Sequence, residues 1–181
     1  MRWTGSTTAG MLSALTTDLA SGSGRSLAIH LAANGWDVFA GFCADGEATT
    51  ITADHPNSPV IFDITDANHV VALYDLLPKS LDAVGNNAGA IAGVLLEALS
   101  LAELRRQFEV NVISQIAVTQ TVLPRLWRAR VQIVLISNLI GKVALPLIGS
   151  YCASRFTLEA AGDVLSMGLK QWNTVTFLIE V

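Results

Sequence analysis

Tyr151 and Arg155 stand four positions apart in Tyr151-Cys152-Ala153-Ser154-Arg155, a spacing that puts both side chains on one face of a helix. A phenol holds its proton far above neutrality in water and needs a nearby cation before it can exchange that proton with a substrate. Arg155 brings the cation, although a guanidinium stays charged at any working pH and cannot itself relay a proton. The same pattern also suits a helix-start aromatic packed on a sheet. A second candidate lies in Thr17-Asp18-Leu19-Ala20-Ser21-Gly22-Ser23-Gly24-Arg25, between an apolar run and a helical pattern. Glycine lets the backbone approach a pyrophosphate, and a helix N-terminus offers unpaired N–H groups and positive partial charge, so this is either a phosphate cradle or an ordinary turn. Residues 4–10 contain similar glycines but follow no strand. His30, His55 and His69 share no ligand spacing and have no acidic partner in register, which leaves them as surface or satisfied histidines with no metal expected. Cys43 and Cys152 make neither a disulfide framework nor a zinc site, Cys152 reads as a small packing residue, and Trp127 between Arg125 and Arg128 reads as a helix-end anchor.

Elements of the right kind are present to position these groups. Short apolar runs at 11–17, 36–42, 59–63, 81–85, 131–138 and 174–180 alternate with helical patterns, and read as six fully buried parallel strands. The helix after the first run buries Leu27, Ala28, Leu31 and Ala32 and stops at Asn34-Gly35. Another uses Val70, Leu73, Tyr74 and Leu77, then stops at Pro78. Ser100 with Glu103 forms a capping box for a long segment running slightly past Pro124, and a last helix from about Ser150 carries Tyr151 to Leu169, with Gly162 and Gly168 as weak points. This alternation predicts an α/β fold, a doubly wound parallel sheet of six strands with helices on both faces.

Three further features fall in order around these elements. Asn86-Asn87-Ala88-Gly89 follows the fourth strand, Asn111 lies in the long helix, and the Tyr-x-x-x-basic element opens the last one. With them the chain resembles the short-chain dehydrogenase/reductase family from about residue 11 to its end, and residues 36–46 and 143–159 look most like bacterial members of the steroid, retinoid and 3-oxoacyl reductase type. The resemblance implies a Rossmann-like domain that binds NAD or NADP and transfers hydride between nicotinamide and a carbonyl or alcohol. It implies cofactor contacts at Thr17, Gly22, Gly24, Asp63, Ile64, Asn87, Ala88, Gly89, Tyr151 and Arg155. It implies catalytic roles for Tyr151 as general acid/base, Arg155 as the orienting cation, Asn111 and Asn138.

Three positions depart from the family pattern. Asp18 stands where the first glycine of Thr-Gly-x-x-x-Gly-x-Gly belongs, and adds a carboxylate near two phosphates. Asn138, thirteen before Tyr151 and three before Gly141, takes the place of the catalytic serine. Its amide can substitute as a hydrogen-bond donor to a substrate oxygen. Ser137 beside it is expected to face the other side of the strand. Arg155 replaces lysine. Asp63 reads either as the adenine-contacting aspartate or as a helix cap. Gly41, Phe42 and Cys43 supply no group that would choose NAD over NADP, and Asp45 reads as a loop turn. Family members continue past the sixth strand with a substrate-covering segment and a seventh strand, so this chain is expected to lack part of the substrate wall and to leave its sixth strand as an apolar edge.

The chain has 181 residues, 51% hydrophobic and 14% charged, which suits one well-buried domain over 11–181 behind a loose arm at 1–10. Mean hydropathy is +0.49, but no uncharged stretch reaches the ~18 apolar residues a membrane span needs. Net charge of -4 with no basic run argues against nucleic-acid and anionic-membrane partners. These features fit a cytoplasmic setting, and the resemblance with its three departures implies an oxidoreductase acting on a small carbonyl or alcohol, with impaired activity, as a homodimer or homotetramer. A non-catalytic relative that binds nucleotide or only forms oligomers, or an incomplete chain, are the alternatives.

Overall fold

A computed structural model describes residues 11–18, 22–43, 58–126 and 131–181. The expected arm at 1–10, the middle of the glycine turn at 19–21, Asp45, His55, Trp127 and Arg128 lie outside the described residues.

The described residues form one sheet of six parallel strands: β1 (Ser13–Thr16), β2 (Asp37–Phe42), β3 (Ser58–Ile61), β4 (Ala83–Asn86), β5 (Gln132–Ser137) and β6 (Val175–Glu180). Their order across the sheet is β3-β2-β1-β4-β5-β6. The chain moves outward in one direction from β1 to β3 and in the other from β4 to β6. Such a reversal opens a crevice at the carboxyl ends of the two central strands.

Two apolar layers clamp the sheet. On β2, Val38, Ala40 and Phe42 pack with Ala28, Leu31 and Ala32 of α1 (Gly22–Ala33), whereas Phe39 points the other way. That second side holds the main core, in which Leu15, Val84, Ile133 and Leu135 meet α2 (Ala67–Leu76), α4 (Ser114–Leu126) and α5 (Gly149–Leu169). Of the four residues expected to form the buried face of α1, only Ala28 is fully enclosed.

Helix ends follow local chemistry. Asp66 caps α2 by accepting from the N–H groups of Asn68 and His69, and Leu77, extended because Pro78 follows, ends it. Tyr74, expected on the buried face of α2, is instead half exposed and stacks under Arg125 at 4.4 Å. Ser100 caps α3 (Leu101–Phe108) through the N–H of Glu103, but Glu103 turns to Arg106 at 2.6 Å, leaving half of the expected capping box. The long segment is not one α-helix: Glu109–Ile113 is a π-helical turn between α3 and α4.

The expectation that all six strands are buried on both faces fails at the sheet's margins. β3 is only partly covered, and Val175, Phe177 and Ile179 of β6 are each more than two-fifths exposed. Both are edge strands with one neighbour, so their apolar runs do not imply two covered faces.

Candidate functional site

At the carboxyl ends of β1, β4 and β5 lies a cleft of about 260 Å³. The glycine turn supplies Asp18, Gly22 and Ser23, the loop after β4 supplies Asn87 and Gly89 to Ile91, and Ile136, Ser137, Tyr151, Arg155 and Val181 close the far side. Residues from both ends of the sequence therefore meet in one place.

The turn after β1 is locked to the loop after β4. Thr17 Oγ1 accepts from the N–H groups of Asn87 and Ala88 at 3.0 and 3.1 Å, and Asn87 Nδ2 donates to the carbonyl of Asp18 at 2.8 Å. A Cβ on Gly24 would overlap both the Asn87 amide and the Asp18 carbonyl, so the side chain of Thr17 and the missing side chain of Gly24 build the turn rather than line the cleft. Asp18 has φ of 54°, in the left-handed region that glycine adopts freely and Asp tolerates. Gly22 also has positive φ, 61°, and nothing lies within 4 Å of its absent side chain, which leaves open backbone at the start of a twelve-residue helix.

Asn111 is held in the π-helical turn. Its Oδ1 accepts from Ala90 N–H at 2.7 Å, and its Nδ2 donates to the Ala90 carbonyl and to Ser154 Oγ at 2.9 and 3.0 Å. An α-helix has no slack to aim a side chain at both a loop and a neighbouring helix; a π turn does. The fully buried Asn111 thus fixes the β4 loop against α5, and it does not line the cleft.

Tyr151 and Arg155 stack on the same face of α5, the guanidinium carbon 5.0 Å from the ring centroid. Arg155 Nη1 donates to the carbonyl of Ile136 at 2.9 Å, and Nη2 fills the space beside Gly89, where a Cβ would sit 2.5 Å away. Just beyond β5, Lys142 Nζ reaches Glu159 Oε2 at 2.7 Å, tying the exit of the strand to the helix one turn past Arg155. That hydrogen bond raises the pKa of Lys142.

Asn138 Nδ2 donates one N–H to Val181 O at 2.6 Å and its Oδ1 accepts from Ile140 N–H at 3.1 Å, capping a 3-10 turn, so one of its two amide N–H groups is engaged away from a substrate. Ser137 does reach the cleft, but its Oγ lies toward Gly141 and Glu159 and is buried without a hydrogen-bond partner. Asp63 is neither a helix cap nor a cleft residue: its Oδ1 accepts from the N–H and hydroxyl of Thr65 at 2.8 and 2.7 Å, while Asp66 caps the helix. Ile64 borders a separate cavity of about 450 Å³ between α2 and α4. His69 Nδ1 accepts from Asp63 N–H at 3.1 Å, a satisfied histidine. Cys152 is buried with Sγ 3.4 Å from Leu145 N. Among the described residues no three His, Cys, Asp or Glu side chains are grouped to hold a metal, and no helix is long and apolar enough to cross a membrane.

A sequence model of the short chain dehydrogenase family matches residues 13–180, spanning the whole sheet and every lining residue of the cleft but Val181. The chain belongs to that family. Among curated short-chain relatives, the NADPH-dependent 3-dehydrocapnine reductase of Ornithobacterium rhinotracheale is 29% identical, over 92% of this chain and 63% of that protein. Retinol dehydrogenase 5 of Mus musculus is 31% identical, over 88% of this chain and 52% of that protein. The chain thus spans between about half and two-thirds of the length of these relatives. A short-chain dehydrogenase from Streptomyces avermitilis shares the fold with a TM-score of 0.90 at 23% identity, over 96% of this chain and 66% of that one. One from Burkholderia cenocepacia, solved in complex with NADP, has a TM-score of 0.86 at 23% identity, over 94% of this chain and 71% of that one.

Short-chain dehydrogenases use NAD or NADP, and the cleft has features that suit such a group. Gly22 offers exposed backbone at a helix N-terminus, where phosphates are held, and Gly89 and Arg155 border the space farther along. Sequence reasoning missed Ser154, Gln107 and Gln115. Ser154 holds Asn111, Gln115 Nε2 donates to the Ala88 carbonyl at 2.6 Å, and Gln107 Nε2 to that of Ala90 at 2.7 Å. Polar residues at helical positions that must be buried were the available signal.

Proposed function

We propose that this chain is the dinucleotide-binding and catalytic part of an NAD(P)-dependent reductase or dehydrogenase acting on a small carbonyl or alcohol, with attenuated activity. The observation that carries this reading is the meeting of Tyr151 and Arg155 with Gly22 and Gly89 in one cleft at the switch point of the sheet. The backbone at Gly22 and Ser23 would hold the pyrophosphate, with Asn87, Ala88 and Gly89 along the dinucleotide and Arg155 near its nicotinamide half. The bound dinucleotide supplies or accepts hydride. Tyr151 Oη gives a proton to the carbonyl oxygen as it becomes an alcohol, or takes it in the reverse direction. Arg155 holds its guanidinium 5.0 Å from the ring centroid, on the side of the ring that faces the rest of α5. Asn111 keeps the β4 loop and α5 in register through Ala90 and Ser154. Attenuation follows from Asn138 in place of serine, with one of its two amide N–H groups engaged by Val181; loss of a well-placed donor costs about 10²–10³ in rate.

The NADPH dependence in one relative's name and the NADP bound by one structural neighbour favour NADP over NAD. We also take the protein to be cytoplasmic and a homodimer or homotetramer. A second reading, a relative that binds nucleotide without turnover, is favoured by Asn138 in place of serine, with one amide N–H turned to Val181, and by Asp18 in place of glycine. Fluorescence titration with NADPH and NADH, followed by turnover on a panel of ketones, separates the two. The enzyme reading expects dinucleotide binding and slow turnover, with Tyr151→Phe removing the turnover while dinucleotide binding is retained. Binding with no turnover in wild type or in Asn138→Ser selects the second reading, and no binding at all overturns both.

A further inference from the structure

Gln107 and Ser150 are both fully buried, line no part of the cleft, and bond to each other. Ser150 Oγ donates to Gln107 Oε1 at 2.7 Å, and Gln107 Nε2 donates to the carbonyl of Ala90 at 2.7 Å. These partners fix which way the amide points, since a carbonyl oxygen can only accept. Gln107 therefore spans two walls of the cleft: Ala90 lines it on the β4 side, and Ser150 immediately precedes Tyr151 on the other.

The cross-link is repeated one turn further on. Asn111, four residues after Gln107, donates to Ser154, four after Ser150, and Ser154 Oγ in turn donates to the Tyr151 carbonyl at 2.8 Å. Gln107 and Asn111 share one acceptor, the carbonyl of Ala90. Tyr151 thus lies between two bonds to the same segment.

The Gln107–Ser150 bond joins the first turn of α5 to α3, and that turn needs it. Ile148, at the N-cap position, makes no side-chain bond to the turn, and Leu147 before it has φ of 70°, in the left-handed region that branched side chains avoid. Cys152 Sγ, 3.4 Å from Leu145 N, ties the turn only to the loop that leads into it. A helix start without a side-chain cap frays. Enclosed polar pairs of this kind add little net stability over apolar residues of the same shape; what their bond geometry adds is a single defined arrangement.

We propose that Gln107 is a positioning residue for Tyr151: through Ser150 and Ala90 it sets where the tyrosine stands against the β4-loop wall of the cleft. The effect on rate rests on the proton-transfer role of Tyr151 given above; the effect on placement does not.

The chain has two tyrosines, so protein carrying isotope-labelled tyrosine gives one NMR signal for Tyr151, assigned by its loss in Tyr151→Phe, and one for the half-exposed Tyr74 as an internal reference. Gln107→Met, Ser150→Ala and the double variant, checked for folding by circular dichroism, complete a mutant cycle. Gln107→Met should move the Tyr151 signal and leave that of Tyr74 in place. On a ketone substrate it should lower kcat about ten-fold with KM and the Kd for NADPH within about two-fold, the split expected when a reacting group is misplaced. In the Ser150→Ala background the same change should move the signal less than half as far and cost less than about three-fold in kcat, because the bond is already gone. A Tyr151 signal that stays in place in folded Gln107→Met overturns the proposal. So does an equal effect of Gln107→Met with and without the Ser150 hydroxyl, or movement of both tyrosine signals together, which marks general loosening. If Gln107→Met does not fold, Ser150→Ala against Ser150→Thr, which keeps the hydroxyl, makes the comparison; a shifted signal and lower kcat in the first alone supports the proposal, and equal behaviour overturns it. Absence of turnover on every ketone removes the dehydrogenase reading and leaves the NMR cycle to decide placement, whereas turnover with an unmoved Tyr151 signal removes only the positioning role.

Discussion

Asp18 shows how one residue can satisfy the backbone and work against the ligand. Its φ of 54° is reached by Asp at a cost near 1 kcal/mol that glycine does not carry, while the residue itself lines the cleft where phosphates would lie. Asp18→Gly removes both the strain and the charge, so it should lower the Kd for NADPH roughly ten-fold while leaving the rate of the bound complex unchanged, which fluorescence titration and saturating kinetics read separately. Gly89 makes the complementary case. A Cβ there would come within 2.5 Å of Arg155 Nη2, and Nη1 is tethered to Ile136, so the guanidinium cannot withdraw without breaking that bond. Gly89→Ala should therefore cost about 1–3 kcal/mol of stability in denaturant melts, and shift Arg155 enough to lower activity as well.

Helix α5 carries two glycines that look alike in the sequence and differ in their surroundings. A Cβ on Gly162 would meet Cγ and both methyl carbons of Leu178 on β6 at 2.8–2.9 Å, so the whole leucine must move, whereas nothing lies within 4 Å of Gly168. Gly168→Ala should raise stability by about 0.5–1 kcal/mol through the helix propensity of alanine. Gly162→Ala gains the same term but loses more to overpacking, for a net loss of about 1 kcal/mol, and the opposite signs of the two changes in urea melts are the check. The strand-helix alternation, the glycine turn and the Tyr-x-x-x-Arg spacing were legible because each depends on residues close in sequence. Gly162 was legible only as a weak point in a helix, since the reason for it sits on β6. The π-helical turn at Asn111 escaped for a related reason: its partners Ala90 and Ser154 lie 21 and 43 positions away, and helical periodicity carries no trace of one added residue. Counting from Gly141 and Tyr151 singles out Asn138 in the sequence, but its bond to Val181 depends on the β5–β6 register, which spacing does not encode.

Charge and apolar surface set the behaviour of the molecule as a whole. Asp66, held below its ordinary value by the N–H groups of Asn68 and His69, and Glu103, held below its own by the Arg106 hydrogen bond, each favour the folded state once ionised. That contribution is present above their ordinary values of 3.8 and 4.5 and is lost as pH falls through the depressed folded values. Lys142 has the opposite sign: raised by Glu159, it contributes below its ordinary 10.5 and fades as pH rises through the folded value. Thermal melts should therefore show a plateau between about pH 6 and 9 with a shallow fall on either side, and Lys142→Met should flatten the alkaline fall alone. Association belongs to the same scale. Leu101, Ile113, Phe156, Val164 and Met167, on α3, the π-helical turn and α5, are all more than two-fifths exposed, and these segments pack side by side. Isolated apolar residues on a surface need no explanation, but five on adjoining elements do. Pairing of two copies through this face would cover them, and a mutation to charge at its middle would place an unpaired ion in the interface. Light scattering after size exclusion should give at least a dimer at micromolar concentration, and Phe156→Asp with Val164→Asp should give a folded monomer. A wild-type protein that is monomeric at that concentration would show that those side chains are simply solvated.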